Sequence, residues 1–169
     1  MARYRSFDHA RQGGAAAAEQ GSEMNEVRMR RAGLKAALSG LELALAAPAP
    51  NRHDWVAGVR DGLECVHEVW TRHVVETEAP GAFLDELVSE SPRLATPASR
   101  LRREHADILE SIVRSEERLS APPGDEIAYD AWADEIRAEL TALLVALARH
   151  RQRGADLVYE AYDVDLGGG

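Results

Sequence analysis

The stretch DEIRAELTALLVALARHRQRGADLVYEAY, which runs from Asp134 to Tyr162, decides the fold. Its apolar residues recur every three or four positions, which is the spacing of one face of an α-helix. The inward face that this spacing predicts holds Leu140, Leu143, Leu147, His150 and Leu157. An imidazole therefore lies among leucines, and its role is the central functional question.

The composition favours helices throughout. The 169 residues are 45% hydrophobic and 29% charged, with only two Phe and three Trp, so the core must be built mainly from Leu, Val and Ala. Strong breaks occur at the prolines that follow Ala47, at Pro80-Gly81 and at Pro122-Pro123-Gly124. They divide the chain into helices predicted at about 23–46, 52–78, 96–119 and 125–162, with a short helical turn near 83–88. Asn51 is expected to cap the second helix, Thr96 the third, and Asp125 or Asp130 the fourth.

The predicted architecture is all-α, an up-down-up-down four-helix bundle, because short links make successive helices antiparallel. The domain boundaries that we expect are a disordered N-terminal tail over 1–21, a bundle over 22–162, and a flexible Gly-rich C-terminal tail over 163–169. The tails lack helical periodicity and hold much of the Gly.

Charge and cysteine usage exclude several classes of function. The net charge of −9 argues against nucleic acid as the main partner, since binding phosphates needs clustered cations. One cysteine, Cys65, allows neither an internal disulfide nor a CxxC motif. No apolar run reaches the length of a membrane span and no signal peptide is visible, so we expect a cytoplasmic protein that binds no membrane.

Three histidines occupy inward positions on three different helices. His73 lies near the end of the second predicted helix, His105 near the start of the third and His150 late in the fourth. In an up-down-up-down bundle these three positions share one pole, so the imidazoles can meet around a metal ion. Each could equally be a histidine at the core edge that bonds to a carboxylate or a backbone carbonyl.

The chain resembles the hemerythrin-like (HHE cation-binding) family over roughly residues 24–162. The resemblance rests on LRREHADIL around His105, on LARHRQRGADLVYEAY around His150, and on HVVETE, which starts at His73. It implies a four-helix bundle that holds a pair of non-haem iron ions through histidines and carboxylates. Some members of the family bind oxygen, and others sense oxygen, iron or nitric oxide.

The ligand set that the family expects is incomplete here. The resemblance implies a glutamate four residues after the histidine on helices two and four, where this chain has Thr77 and Gly154. Glu76 is the best substitute and completes the predicted metal ligands with His73, His105 and His150, whereas Asp156 and Glu160 are rotated away from the inward face. The family's histidine on helix one corresponds to no better residue than Arg31, and the second histidine on helix three is replaced by Leu109.

The sequence leaves two functions open. The first is a bundle with a reduced histidine site that binds non-haem iron, or else zinc, and that acts in metal or oxygen binding or sensing. The second is a metal-free bundle that acts as a protein-interaction or dimerisation module, with a second copy of the chain or another protein as its partner. We expect no enzyme, because the sequence shows no nucleophile–base pair, no phosphate-binding glycine loop and no paired inward carboxylates.

Overall fold

A computed structural model describes residues 32–48 and 52–163, with side chains as far as Ala161. The chain divides into two compact units between Ala36 and Ala37, and the buried clusters and the three inward histidines belong to the second unit. Residues 1–21 and 164–169, on which the two predicted tails mainly fall, lie outside the described residues. The same is true of the start of the first predicted helix, of Arg31 and of the Asn51 cap.

Helices make up nearly all of the described chain. They are α1 over 32–46, α2 over Arg52–Glu78, α3 over Phe83–Glu90, α4 over Ala95–Ser120 and α5 over Glu126–Asp163, with a 3-10 turn at Pro92–Leu94. No strand occurs in residues 32–48 or 52–163, which confirms the all-α expectation. Within the same ranges, no helix is both long and apolar enough to cross a membrane.

The predicted helix starts are right for α5 and wrong for α4. Asp125 caps α5, since its Oδ1 accepts a hydrogen bond of 2.9 Å from the amide of Ala128. The predicted Thr96 cap is wrong because the 3-10 turn leads directly into α4, whose N-cap position is Leu94 and has no side-chain hydrogen bond. Pro97 therefore lies within the first turn of α4, where its missing N–H leaves no intrahelical bond unmade.

Contacts between helices fix the relative directions of α2, α4 and α5. Arg52 at the start of α2 pairs with Glu126 at the start of α5 at 2.9 Å. Arg60, also in the first half of α2, donates a hydrogen bond of 2.7 Å to the carbonyl of Leu119 at the end of α4. Thus α4 runs opposite to both α2 and α5. This arrangement brings the end of α2, the start of α4 and the later half of α5 to one level.

The buried side chains form two apolar clusters on either side of that level. The larger cluster includes Leu63, Trp70, Ile112, Leu140 and Leu147. The smaller one joins α3, the 3-10 turn, the start of α4 and the end of α5, and its buried members are Leu84, Leu87, Leu94, Ala98, Leu101 and Leu157. Along α4 and α5, the inward positions between the two clusters are occupied by histidines.

The backbones of α1 and α2 approach each other closely at Gly62, and a substitution there tests the packing of the two helices. A Cβ atom at Gly62 would lie 3.2 Å from the Cα of Leu41, which is fully buried, whereas a Cβ at Gly58 would meet nothing within 4 Å. Gly62→Val should therefore lower the free energy of unfolding by about 1–3 kcal/mol through overpacking. Gly58→Val is the matched control, and urea denaturation followed by circular dichroism is the measurement. Equal unfolding midpoints for the two variants would contradict the close approach.

Candidate metal centre

Three helices each supply one histidine to the layer between the apolar clusters. His73 projects from α2, His105 from α4 and His150 from α5. His105 and His150 are buried, with only 3% and 5% of their surface exposed, and His73 is half-buried. Ordinary core packing fills such a layer with leucine, and the neighbouring inward positions Leu101, Ile108 and Leu147 follow that rule. The three histidines therefore form a thin polar layer, which lies only at the level where the three helices bring their imidazoles together.

The imidazole nitrogens converge on one point. The Nε2 atom of His150 lies 3.1 Å from Nε2 of His105 and 3.3 Å from Nε2 of His73. One ring nitrogen from each histidine lies within 4.8 Å of the others, which is close enough for all three to share a metal ion.

Two glutamates hold the outer nitrogens of the buried histidines. Nδ1 of His105 donates a hydrogen bond to Glu78 at the end of α2. Nδ1 of His150 donates to Glu104 in α4 at 3.1 Å, and the other oxygen of that carboxylate pairs with Nε of Arg153 at 2.7 Å. Because an ionised carboxylate only accepts hydrogen bonds, these contacts place the protons of His105 and His150 on Nδ1.

This tautomer directs two lone pairs at each other. A neutral imidazole that carries its proton on Nδ1 has an unprotonated Nε2, which can only accept a hydrogen bond or bind a cation. The two Nε2 atoms of His105 and His150 therefore repel each other at 3.1 Å unless a positively charged group lies between them. Carboxylate-bound histidines with converging free nitrogens are the usual arrangement around protein-bound metals.

Trp70 closes the layer on the side of the larger cluster. Its ring is buried and contacts all three imidazoles, with centroid distances of 5.2 Å to His73, 5.4 Å to His105 and 5.0 Å to His150. Its Nε1 donates a hydrogen bond of 3.4 Å to the backbone carbonyl of His105. The indole thereby limits how far the three rings can turn.

Burial keeps the imidazoles of His73 and His150 neutral. Desolvation, followed by the proximity of His105 and His150, lowers the pKa of His73 to about 4. Desolvation and His105 also lower the pKa of His150 to about 4, against the opposing effect of Glu104. Neutral imidazole is the form that binds metal ions, so both groups are ready to act as ligands at neutral pH.

The structure brings together three of the four predicted ligands. Glu76 is half-buried on α2 and is not part of the group of converging ligand atoms, so its role as a ligand stays a prediction. Thr77 turns its hydroxyl back to the carbonyl of His73 at 2.8 Å, and Gly154 has no side chain to contribute. The carboxylates of Asp156 and Glu160 bond instead to Gln152 and Arg93 on the surface.

The sequence interpretation missed the two glutamates that contact the histidines. Glu104 directly precedes His105, and Glu78 lies five residues after His73, so neither falls on an inward face. Both lie at the edges of their helices, from which a long side chain reaches the ring on the neighbouring helix. An acidic residue flanking an inward histidine is the signal that could have identified them.

Comparisons with models of protein families, with curated proteins and with solved structures found no match to this chain.

The lowered pKa values predict a loss of stability in mild acid for the metal-free protein. His73 has a pKa of about 4 when folded and the ordinary 6.5 when unfolded, so the unfolded chain binds more protons between these values. The contribution of the neutral His73 to the free energy of unfolding is fully present above pH 6.5 and disappears as the pH falls towards 4. Between pH 7 and pH 5 the free energy of unfolding should fall by about 1–2 kcal/mol more in the natural protein than in His73→Gln.

The measurement is urea denaturation at both pH values in the presence of a chelator. His53→Gln is the control, since His53 lies exposed in the first turn of α2. If the free energy of unfolding of His73→Gln fell between pH 7 and pH 5 by as much as that of the natural protein, His73 would not be the source of the acid sensitivity.

Proposed function

We propose that this protein binds one divalent transition-metal ion through His73, His105 and His150, and that it acts in metal or oxygen binding or sensing rather than in catalysis. Non-haem iron is the proposed ion, and zinc is the other ion that this donor set suits. The observation that carries the proposal is the pair of Nδ1–carboxylate hydrogen bonds, which leave the Nε2 atoms of His105 and His150 free and convergent.

A purely structural role accounts poorly for this arrangement. Buried polar groups in a structural network normally pair donor with acceptor, because an unpaired group loses its hydration without compensation. Here the Nδ1 protons of His105 and His150 are donated to Glu78 and Glu104 on the outer side of the rings. The inner nitrogens of His105 and His150 then face each other as two acceptors, and a shared cation resolves the conflict.

The spacing of the donor atoms supports a single ion. Two nitrogens bound to one tetrahedral zinc at about 2.0–2.1 Å lie roughly 3.3–3.4 Å apart. The observed Nε2 separations of 3.1 Å and 3.3 Å are close to that value. A second ion would need bridging carboxylates, and the positions one turn after His73 and His150 hold Thr77 and Gly154.

The proposal places the site in a hemerythrin-like bundle of up-down-up-down order, with α1 as its first helix. The opposite directions of α2 and α4, and of α4 and α5, support that order. Three protein ligands leave at least one coordination position open, which a bound ferrous ion would offer to a small external ligand. Glu78 and Glu104 would orient the ligating rings and offset the charge of the ion.

Metal content is the decisive test. We expect about one iron per chain after expression in iron-rich medium without a metal-binding tag, and loss of nearly all of it in His105→Ala. His67→Ala is the matched control, because His67 also joins α2 to a carboxylate of α4, Glu116, at 2.8 Å but lies outside the site. Elemental analysis of iron, zinc and manganese gives the readout.

The proposal would be contradicted if the purified protein contained no metal and a chelator left its melting temperature unchanged. It would favour the second candidate, a metal-free interaction or dimerisation module. That candidate is supported by large apolar side chains on the surface, including Leu43, Val75, Ile127 and Tyr159, which are 73%, 60%, 82% and 69% exposed.

The two supporting glutamates should affect affinity rather than folding. Glu78→Gln and Glu104→Gln keep the size of each side chain but remove its charge, and each should weaken metal binding roughly 10–100-fold. Quenching of Trp70 fluorescence by Co²⁺, measured with Trp55 and Trp132 changed to Phe, reports occupancy directly because Trp70 touches all three histidines. Glu116→Gln, the partner of His67, should leave the Co²⁺ affinity unchanged, and equal effects of all three changes would argue against the supporting role.

A further inference from the structure

Two helical stretches of this chain are almost free of charged residues. Glu42 is the only charged residue within 37–47, at the end of α1. Glu139 is the only one within 138–148 of α5, and its carboxylate is bonded to side chains of α4. The exposed positions of α4 are by contrast mostly charged, and include Arg100, Arg103, Asp107, Glu110, Arg114 and Glu117. A helix surface without charges is typical of a contact surface.

The two uncharged stretches border a common groove. A cavity of about 480 Å³ lies between them, with Leu45 on its α1 wall and Leu144 on its α5 wall. Ala46, Thr141 and Val145 also line the groove and are exposed, so it opens to solvent. We call the groove and its two walls, over 37–47 and 138–148, the α1–α5 face. Covering these exposed apolar walls with another apolar surface would be favourable.

Two opposite charges line the groove without pairing with each other. Glu42 lies on the α1 wall and Arg137 at one end of the α5 wall. Arg137 pairs instead with Asp134 of its own helix at 3.1 Å, and its guanidinium carbon lies 4.7 Å from the centre of the Trp55 ring. Glu42 has no ion-pair partner among the described residues. Stacking on Trp55 orders the guanidinium in advance, which reduces the entropy that a partner's binding would cost.

We propose that the α1–α5 face binds a second copy of this chain, in a dimer with two-fold symmetry. A two-fold axis brings the same surface of both copies together, so each residue that contacts its complement does so twice. In this dimer, Glu42 of each copy pairs with Arg137 of the other, and the apolar walls cover each other. The surface includes none of the proposed metal ligands, so the dimer forms with or without a bound ion.

The charges of the face favour a second copy over other partners. A partner of a single charge sign, such as nucleic acid or an acidic peptide, would bring a like charge to either Glu42 or Arg137. Two copies with a net charge of −9 each repel one another in general, and this repulsion is weakest where charges are few. The small side chains of Ala46 and Thr141 also allow helices of two copies to approach closely.

The first experiment measures self-association of the full chain by sedimentation equilibrium over a range of concentrations, with a chelator present. We expect a reversible dimer. Val145→Glu should raise its dissociation constant at least tenfold, because the new carboxylate would be buried between the copies without a cation beside it. Val113→Glu is the matched control. Val113 is 40% exposed on α4 and Val145 is 43% exposed on α5, so both changes place a charge at a similar helical position. The control should leave the dissociation constant unchanged.

A charge exchange tests the pairing itself. Glu42→Arg leaves two cations on the face and Arg137→Glu leaves two anions, so each variant alone should be mostly monomeric. An equimolar mixture of the two should form a dimer, because both contacts between the copies then join opposite charges. Circular dichroism checks that both variants are helical. Glu42→Gln changes only an exposed side chain and should weaken the dimer several-fold by itself, so the pairing is tested even if Arg137→Glu does not fold.

Each contrary result overturns a stated part of the proposal. A natural protein that stays monomeric at every concentration overturns the second copy as the partner, and leaves the α1–α5 face to a different protein. Equal dissociation constants for Val145→Glu and Val113→Glu overturn the face as the dimer surface. A mixture of folded charge variants that stays monomeric overturns the pairing of Glu42 with Arg137. Because a chelator is present throughout, these results are independent of the proposed metal site.

Discussion

The structure depends on a layer of three imidazoles, two of them buried and one half-buried, at one level of α2, α4 and α5. A buried imidazole needs partners for its nitrogens, and the Nδ1 atoms of His105 and His150 find theirs in carboxylates on neighbouring helices. Each of these contacts requires a particular depth of one helix against another. The polar layer thus specifies the register of the helices more tightly than leucine packing does, since leucines accept small shifts along the axis.

The two carboxylate contacts are unequal. Glu104 is held from two sides, by Nδ1 of His150 and by Arg153, and only 16% of its side chain is exposed. Glu78 lies in the last turn of α2 beside the loop to α3, with 28% of its side chain exposed. His150 is therefore the more firmly oriented ring. His105 depends on a carboxylate at a helix end, where the backbone is least constrained.

Much of the fold followed from periodicity, and the site followed in part. Leu140, Leu143, Leu147 and Leu157 were predicted inward and are buried, because a 3.6-residue period is a direct consequence of helix geometry. The meeting of the three histidines also followed, since direction and depth are set by helix order. The cap of α4 was misplaced because a 3-10 turn, which has no sequence periodicity, leads directly into the helix before Thr96. Glu78 and Glu104 were missed because a side-chain contact between two helices depends on the length of the side chain and on the distance between the helices. The assignment of residues to inward and outward helix faces gives neither quantity.

The histidine layer also divides the interior. Apolar packing is interrupted at this level. The smaller cluster, built from α3, Leu94, Ala98, Leu101 and Leu157, is joined to the rest of the molecule by the histidine contacts and by the backbones of α4 and α5 instead of a continuous apolar core. Cooperativity between two parts of a protein is carried by the packing that joins them. We therefore expect the smaller cluster to open separately from the main core, so that its amide hydrogens exchange with solvent before those of the larger cluster. An ion bound by α2, α4 and α5 would join the helices at that boundary, and would turn two weakly coupled folding units into one.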